Sequence, residues 1–542
     1  TRRRSEMGPW WKGAVVYHIY VRSFFDSDGD GHGDLAGVMA KLDYLKSLGV
    51  DAIWLSPIHP SPNRDWGYDV SDYDDVHPDY GSVEDFQALT EAAHARGLKV
   101  LLDEVLSHTS DEHPWFAASR DEGAEGDKAD WYVWADPADD GTAPNNWLSV
   151  FGGPAWAYQP SRRQHYHHKF LRQQPKLNWR QPQAKDAALK VLDTWLARGA
   201  DGFRLDVANA FLHDDALTDN PAVPPAERSK ADWGHASDMQ RHLFDSNLPE
   251  NIPLLDEVRR RVEAHGPDRF VFGEFSEEEE RCGAYCAPDE GLHSAYTFVL
   301  LKARRMAAQV LKDHYQTLGA HPGHWPTISF CNHDVARTVT RFGGPDAGAP
   351  VAKLMLALLM ALRGTILLYQ GEELGLPEAE LSRGELRDPV GDLYWPIAKG
   401  RDGARTPMPW QSEAAHLGFS NGSAWLPAAE THRPLAVDRQ ELDPKSTLAF
   451  ARQMITLRKA SRALTHGEIE FLETPEPILA FLRRHEGQTV ACVFNMSGRT
   501  ARAEHPSLTG GEMLPVASGI CEPLPGGLAL GPYACRFLKH PS

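Results

Sequence analysis

Cysteine is scarce in this 542-residue sequence: Cys282, Cys286, Cys331, Cys492, Cys521 and Cys535 include no CxxC pair. A disulfide scaffold is thereby excluded, and the usage suits reduced thiols in a cytosol. Long apolar runs are missing as well. The most apolar segment, 351–362, contains Lys353 and stops at Arg363, too short and too charged to cross a bilayer, so it reads as a buried helix and no membrane association is expected. Positive charge is in the minority, with 56 Lys and Arg against 75 Asp and Glu and a net charge of -19. Nucleic acid, which needs basic stripes, is excluded as a partner, and a neutral or cationic ligand is favoured. The opening TRRRSEMGPWWKG is basic but has no apolar stretch behind it, so no secretory signal is visible; a cytoplasmic location is expected, with the periplasm left open. Short repeats and low-complexity tracts are absent, and EEEE at 277–280 reads as a solvated turn.

What is present is a rhythm. Apolar or β-branched runs at 15–20, 51–55, 98–105, 201–205, 270–274, 294–299, 327–331 and 365–369 read as eight strands, with helical patterns between them. One such helix, 82–96, opens with Ser82 and has Asp85 three residues on; another, 183–198, turns Val191, Leu192, Trp195 and Leu196 inward and is followed by Gly199. The expected fold class is α/β: near-continuous apolar strands alternating with helices are what a parallel (β/α)8 TIM barrel requires. The rhythm breaks between the third and fourth strands, where 109–177 is rich in Trp, Pro, Asn and His and reads as a small inserted domain B. After a helix near 446–463 the pattern turns to alternating strands (EIEFLE, ILAFLRR, TVACVFN, LALGPYACRFL), an antiparallel β-sheet domain at 464–542. The barrel is therefore expected in two parts, 1–108 and 178–463.

The loop after the first strand reads FFDSDGDGHGDLAG. Asp26, Asp28, Asp30 and Asp34 sit where an EF-hand loop has ligands, but its twelfth position is Gly37 rather than a bidentate Glu, and it runs into a helical pattern (Leu35, Val38, Leu42, Leu45, Leu48). The expectation is a structural cage for one Ca²⁺ or Mg²⁺ held by Asp26, Asp28, Asp30, the backbone carbonyl of His32 and Asp34. An Asp/Gly turn without an ion is the alternative. Alternate histidines in HYHHKF (His165, His167, His168) also raise a metal hypothesis, but no companion carboxylate or Cys is placed with them, and a loop at a pocket rim is the simpler reading.

In such a barrel the C-terminal strand ends gather the active site. Those ends carry Asp103 with His108, Arg204 with Asp206, Glu274, and His333 with Asp334. Any one of them is most simply a cap or loop anchor, but acids ending several strands converge on one axis. Two carboxylates, one ionised and one protonated, are the equipment of glycoside hydrolysis. Arg204, on the strand face of Asp206, is expected to hold that acid ionised as the nucleophile; Glu274, in the apolar run FVFGEF, is expected to be raised by desolvation and to serve as the acid.

DGFRLDVAN, FVFGEF, FCNHD and LLDEVLSH together resemble the signature regions of the α-amylase superfamily, glycoside hydrolase family 13. RDWGYDVSDY, QPKLN and GRDGARTPMPW resemble its oligo-1,6-glucosidase and α-glucosidase branch, and the likeness covers essentially the whole chain. The resemblance implies Asp206 as nucleophile, Glu274 as acid and then base, and Asp334 as the carboxylate gripping sugar O2 and O3. His108 and His333 would bind the same glucose, Tyr68 would stack on it, and Asp65 with Arg401 would close the pocket behind the non-reducing end. Phe170 would line an acceptor site. It also implies that the Asp loop braces the barrel without touching substrate.

The chain departs from the family at Ser107, where Asn usually precedes the His and helps build a second calcium site, and at Lys176, where the branch commonly has Asp. Val207 after the nucleophile goes with α-1,6 activity in the family, which leaves the linkage preference open. The expected activity is an exo-acting retaining α-glucosidase on small oligosaccharides or α-glucosides such as maltose, with transfer to a sugar or alcohol acceptor, by a monomer or homodimer without an organic cofactor. A trehalose synthase or other dedicated glucosyl transferase or isomerase is the runner-up, and a non-catalytic relative is disfavoured because the carboxylates are present.

Overall fold

The computed structural model describes residues 8–227, 235–275, 283–288, 290–319, 323–344 and 348–541; Cys282 and the run EEEE lie outside these. Eight parallel strands run in the order Thr327–Ile328, Thr365–Tyr369, Val15–Ile19, Ala52–Leu55, Lys99–Glu104, Gly202–Leu205, Phe270–Phe275 and Ser294–Thr297. The edges meet through a parallel bridge between Ala295 and Pro326, and Ser294 Oγ donates to Trp325 O at 2.6 Å, which closes the sheet into the expected barrel. The strands are mostly apolar because both of their faces are covered. Val16, Trp54, Leu101, Phe272 and Leu367 fill the barrel, while the alternate residues Val15, Ile53, Val100, Phe203 and Val271 pack under the helices. Gly202 is required where it stands: a Cβ there would lie 1.7 Å from Phe270 O on the neighbouring strand.

The helix Val83–Ala95 begins on a reciprocal capping box, in which Ser82 Oγ accepts from Asp85 N–H at 3.2 Å and Asp85 Oδ2 accepts from Ser82 N–H at 2.8 Å. Pro182–Ala197 buries Val191, Leu192, Trp195 and Leu196, as its spacing requires, and 351–362 falls in the buried helix Gly348–Ala361 and its end. No helix among the described residues is long and apolar enough to cross a membrane.

Three boundaries differ from the expectation. The helix of 35–48 is two, Leu35–Ala40 and Leu42–Leu48, because Lys41 (φ -104°, ψ 7°) leaves helical geometry. The helix near 446–463 ends at Ala460 and a short one, Arg462–His466, follows Ser461. LALGPYACRFL is two strands in two sheets, Gly527–Leu530 and Cys535–His540, parted at Tyr533 in the left-handed region (φ 51°). The C-terminal part is otherwise antiparallel throughout, five strands in one sheet and three in the other. Within 109–177 lie a helix, Pro114–Asp121, and a three-stranded antiparallel sheet of Trp134–Ala135, Gln164–His167 and Trp156–Gln159.

Candidate active site

The strand Gly202–Leu205 ends one residue before Asp206, and the strand Phe270–Phe275 carries Glu274 near its end. Arg204 sits between them, fully buried. Its Nη1 donates to Asp206 Oδ1 and Asp103 Oδ1, both at 2.7 Å, and its Nη2 lies 2.5 Å from Glu274 Oε1. One guanidinium therefore serves three buried acids. Arg204 faces Asp206, as the sequence led one to expect, and is shared with Asp103 and Glu274. Burial pushes Asp206, Asp103 and Glu274 each up to about 7, against the pull of Arg204, and the acids raise one another. Desolvation does raise Glu274 as expected, but it raises Asp206 too, so the group retains protons towards neutrality.

Tyr296, from the next strand, completes this group. Its hydroxyl donates to Glu274 Oε1 at 3.0 Å and accepts from Arg204 Nη2 at 3.1 Å, while Val207 N–H donates to Glu274 Oε2 at 3.3 Å. Val207 holds φ 42° and ψ 48°, an uncommon conformation for a β-branched residue, at the turn that leads the chain away from Asp206.

Across the barrel axis, Asp334 Oδ1 accepts from Arg405 Nη2 at 3.1 Å and Arg401 Nη1 at 3.2 Å, and His333 Nε2 is 3.3 Å from Asp334 Oδ2. Arg401 Nη2 also donates to Asp65 Oδ1 at 2.7 Å and Asp388 Oδ1 at 2.8 Å. Tyr68 stacks on the His333 ring (5.2 Å, 9°) and donates its hydroxyl to Asp103 Oδ2 at 2.9 Å. His108 is fixed by Ser107 Oγ on Nδ1 (2.8 Å) and by Tyr68 O on Nε2 (2.9 Å). Burial lowers His108 to about 4 and His333 well below its ordinary value, so both rings are neutral hydrogen-bonding groups. Gln174 Nε2 ties this wall together by donating to Asp65 Oδ2 and Tyr68 O, each at 3.1 Å.

The Phe170 ring lies 5.3 Å from that of His108 and lines, with Phe151, Trp156, Arg172 and Tyr394, a cleft of about 720 Å³ that meets the site at His108. The catalytic and sugar-binding candidates of the sequence are thus brought to one place. Sequence reasoning passed over Tyr296, Gln174, Asp388 and Arg405. GRDGARTPMPW contained Arg405 as well as Arg401, four residues on, and was the available signal for it.

Lys176 lies fully buried behind His108, where its ammonium donates to the carbonyls of Ala210 and Phe211, beyond Asp206. Burial, with Lys169 nearby, lowers it to about 7. His167 packs against the rings of Trp147 and Trp156, and His165 against Tyr158. Among the described residues neither joins a set of potential metal ligands; the set that does form lies elsewhere.

That set is in the Asp loop. Ligand oxygens of Asp26, Asp28 and Asp34 lie within 4.8 Å of one another. Asp30 is not among them: its carboxylate accepts from His32 N–H at 2.7 Å, and the His32 ring faces Arg22 at 2.7 Å. Asp34 also caps the helix Leu35–Ala40 through Gly37 N–H. The loop is clasped from outside, since Asp26 N–H donates to Phe419 O and Trp425 N–H to Gly31 O, both at 3.0 Å.

Against known families, residues 18–467 match the α-amylase catalytic domain and residues 469–537 the maltogenic amylase C-terminal domain. The chain belongs to the α-amylase family. It is 49% identical over 508 residues to a probable alpha-glucosidase of Rhizobium meliloti, covering 92% of this chain and 91% of the relative. It is 34% identical to an oligo-1,6-glucosidase of Halalkalibacterium halodurans, covering 92% of each. Among solved structures it superposes on the alpha-glucosyl transfer enzyme XgtA with a TM-score of 0.94 at 46% identity, covering 98% of this chain and 99% of that one. The trehalulose synthase MutB matches with a TM-score of 0.89 at 31% identity, covering 98% and 100%.

Proposed function

We propose that this family member is an exo-acting retaining α-glucosidase that takes glucose from the non-reducing end of small α-glucosides such as maltose and passes it to water or to an acceptor hydroxyl. The observation that carries the reading is the Arg401 bridge. One guanidinium spans Asp65 and Asp334, a bridge at the third carboxylate that would close the pocket behind one sugar. A pocket closed there takes a chain end and not a chain interior.

In the first step an Asp206 oxygen attacks the anomeric carbon while Glu274 gives its proton to the glycosidic oxygen, which leaves as an alcohol. In the second, Glu274 takes a proton from water or an acceptor hydroxyl, the new oxygen attacks the same carbon, and Asp206 departs as carboxylate. Asp334 accepts hydrogen bonds from the sugar hydroxyls, the neutral rings of His108 and His333 contact the same glucose, Tyr68 forms its platform, and Phe170 flanks the acceptor. No organic cofactor enters these steps, and the chain acts as a monomer or homodimer.

Three converging carboxylates suit a hard divalent cation, and Asp26, Asp28 and Asp34, with the His32 carbonyl, would hold Ca²⁺ or Mg²⁺ in a bracing role. When bound, the ion supplies positive charge to a loop whose carboxylates are otherwise satisfied by backbone N–H groups such as Gly29 and Gly31.

The fold match to a trehalulose synthase keeps isomerisation as the second reading, since the same glucosyl-enzyme can return glucose to a different hydroxyl of its own leaving group. Mass-resolved products from maltose and isomaltose, with and without an alcohol acceptor, test both. Free glucose and an alkyl glucoside are expected; an isomeric disaccharide as the dominant product would replace the glucosidase reading with the isomerase one.

A further inference from the structure

Arg401 pairs with Asp65, yet most of its hydrogen bonds go to another residue. Asp388 Oδ2 accepts from Arg401 Nε at 3.0 Å and from its backbone N–H at 2.6 Å, and Asp388 Oδ1 accepts from Nη2 at 2.8 Å. This is a two-pronged fork that fixes the plane of the guanidinium, and the main-chain bond fixes its root. Asp65 supplies one contact, shared on the same Nη2. Asp388 has no exposed side-chain surface. Burial would raise its acid, but the charge and hydrogen bonds of Arg401, with Arg405 behind, outweigh that and hold it at about 2.

The same carboxylate has a second task. Asp388 Oδ1 accepts from Val390 N–H at 3.2 Å and so caps the helix Pro389–Tyr394. That helix carries Leu393 and Tyr394 into the wall of the 720 Å³ cleft, and Tyr394 reaches Gly152 on the opposite side, where an added Cβ would lie 2.5 Å from the phenol oxygen. The backbone around Asp388 is held in turn, because Asp402 Oδ2 accepts from the N–H groups of Arg387 (2.6 Å) and Asp388 (2.8 Å).

We infer that Asp388 is a positioning and specificity-determining residue: it sets the Arg401 guanidinium as the end-stop of the glucose pocket and ties that end-stop to the helix forming the outer wall of the cleft. The inference rests on the exo-glucosidase reading and deepens it. Without the fork, Arg401 keeps its charge and its pairing with Asp65, but its plane is free to turn. The end of the pocket then yields, and a chain that continues beyond the first sugar can enter.

The test uses the full chain with Asp388→Asn and Asp388→Ser. Serine retains an N-cap oxygen and removes the fork, so helix and end-stop can be told apart. Two substrates are compared: p-nitrophenyl α-glucoside, and a p-nitrophenyl maltooligosaccharide blocked at its non-reducing end. The wild-type protein is expected to cleave the first and ignore the second. In both variants kcat/KM on the unblocked substrate should fall roughly 10- to 100-fold, the effect of losing hydrogen bonds to a charged group, mainly through KM. The ratio of blocked to unblocked turnover should rise at least about tenfold. A fall on the unblocked substrate with no gain on the blocked one, or loss of fold in both variants by circular dichroism, would overturn the inference and leave Asp388 a structural residue. If wild type itself fails on p-nitrophenyl α-glucoside, the glucosidase reading is what has failed.

Discussion

Glu274 accepts a hydrogen bond from the Tyr296 hydroxyl on Oε1, the oxygen that also faces Arg204, and so leaves Oε2, which accepts only the longer bond from Val207 N–H, as the oxygen placed to carry and deliver a proton. The phenol hydrogen bond favours the ionised acid, opposing the desolvation that lifts Glu274 to about 7. In Tyr296→Phe the acid should therefore titrate higher. The basic limb of the kcat/KM profile is expected to move up by as much as about one pH unit, with a few-fold to tenfold loss on maltose. An unmoved limb would show that Tyr296 only fills space.

Removing the nucleophile should separate activity from stability. Asp206→Asn is expected to lower turnover by about four orders of magnitude or more, with the fold retained. Asp103, Asp206 and Glu274 all bind protons more tightly folded, at about 7, than unfolded. Their contribution to stability is complete below the unfolded values and is lost as pH rises through about 7. The melting temperature of wild type should thus fall between about pH 5 and about pH 8, and that of Asp206→Asn should fall less. Parallel curves would mean the acids are not coupled to folding.

Glu274→Gln should discriminate between leaving groups. General acid catalysis is worth about 10²- to 10⁴-fold, needed for maltose and largely dispensable for an aryl glucoside whose phenolate leaves unaided. Pre-steady-state glycosylation rates measure both. A common factor of loss would assign Glu274 to sugar positioning.

For the Asp loop, added Ca²⁺ or Mg²⁺ is expected to raise the melting temperature of wild type, and Asp26→Ala should abolish that response while kcat/KM stays within a few-fold. Asp30→Ala, whose carboxylate lies outside the converging set, should keep the response. Loss of activity without loss of stability in Asp26→Ala would place the ion in the chemistry.

The parts legible in the sequence were those written in local pattern. Strands buried on both faces read as apolar runs, helix 83–95 announced its cap, and acids at strand ends identified the pocket because barrel geometry leaves them one place to go. Less legible were residues defined by what they meet from afar. Tyr296 acts across 22 residues on Glu274, and Gln174 across 109 on Asp65; neither spacing carries a local signature. The sharing of Arg204 was hidden for the same reason: Asp206 was visible two residues away, whereas its second and third acids, Asp103 and Glu274, were not assigned to it. The division of LALGPYACRFL depended on one left-handed residue, Tyr533, of a type that seldom adopts that conformation.

The pairing of the first strand with the last, Val15 against Ile366 and His18 against Tyr369, bears on how the chain is made. A ribosome delivers the N-terminal strand long before its neighbour exists, and until residue 369 has emerged the nascent sheet keeps an open edge of buried-type residues. Asp206 and Glu274 are synthesised early but Arg401 and Asp388 come after the closing strand. A truncated or stalled product would therefore carry the reacting acids without the device that restricts what reaches them, and would depend on chaperone cover rather than on its own partly formed core.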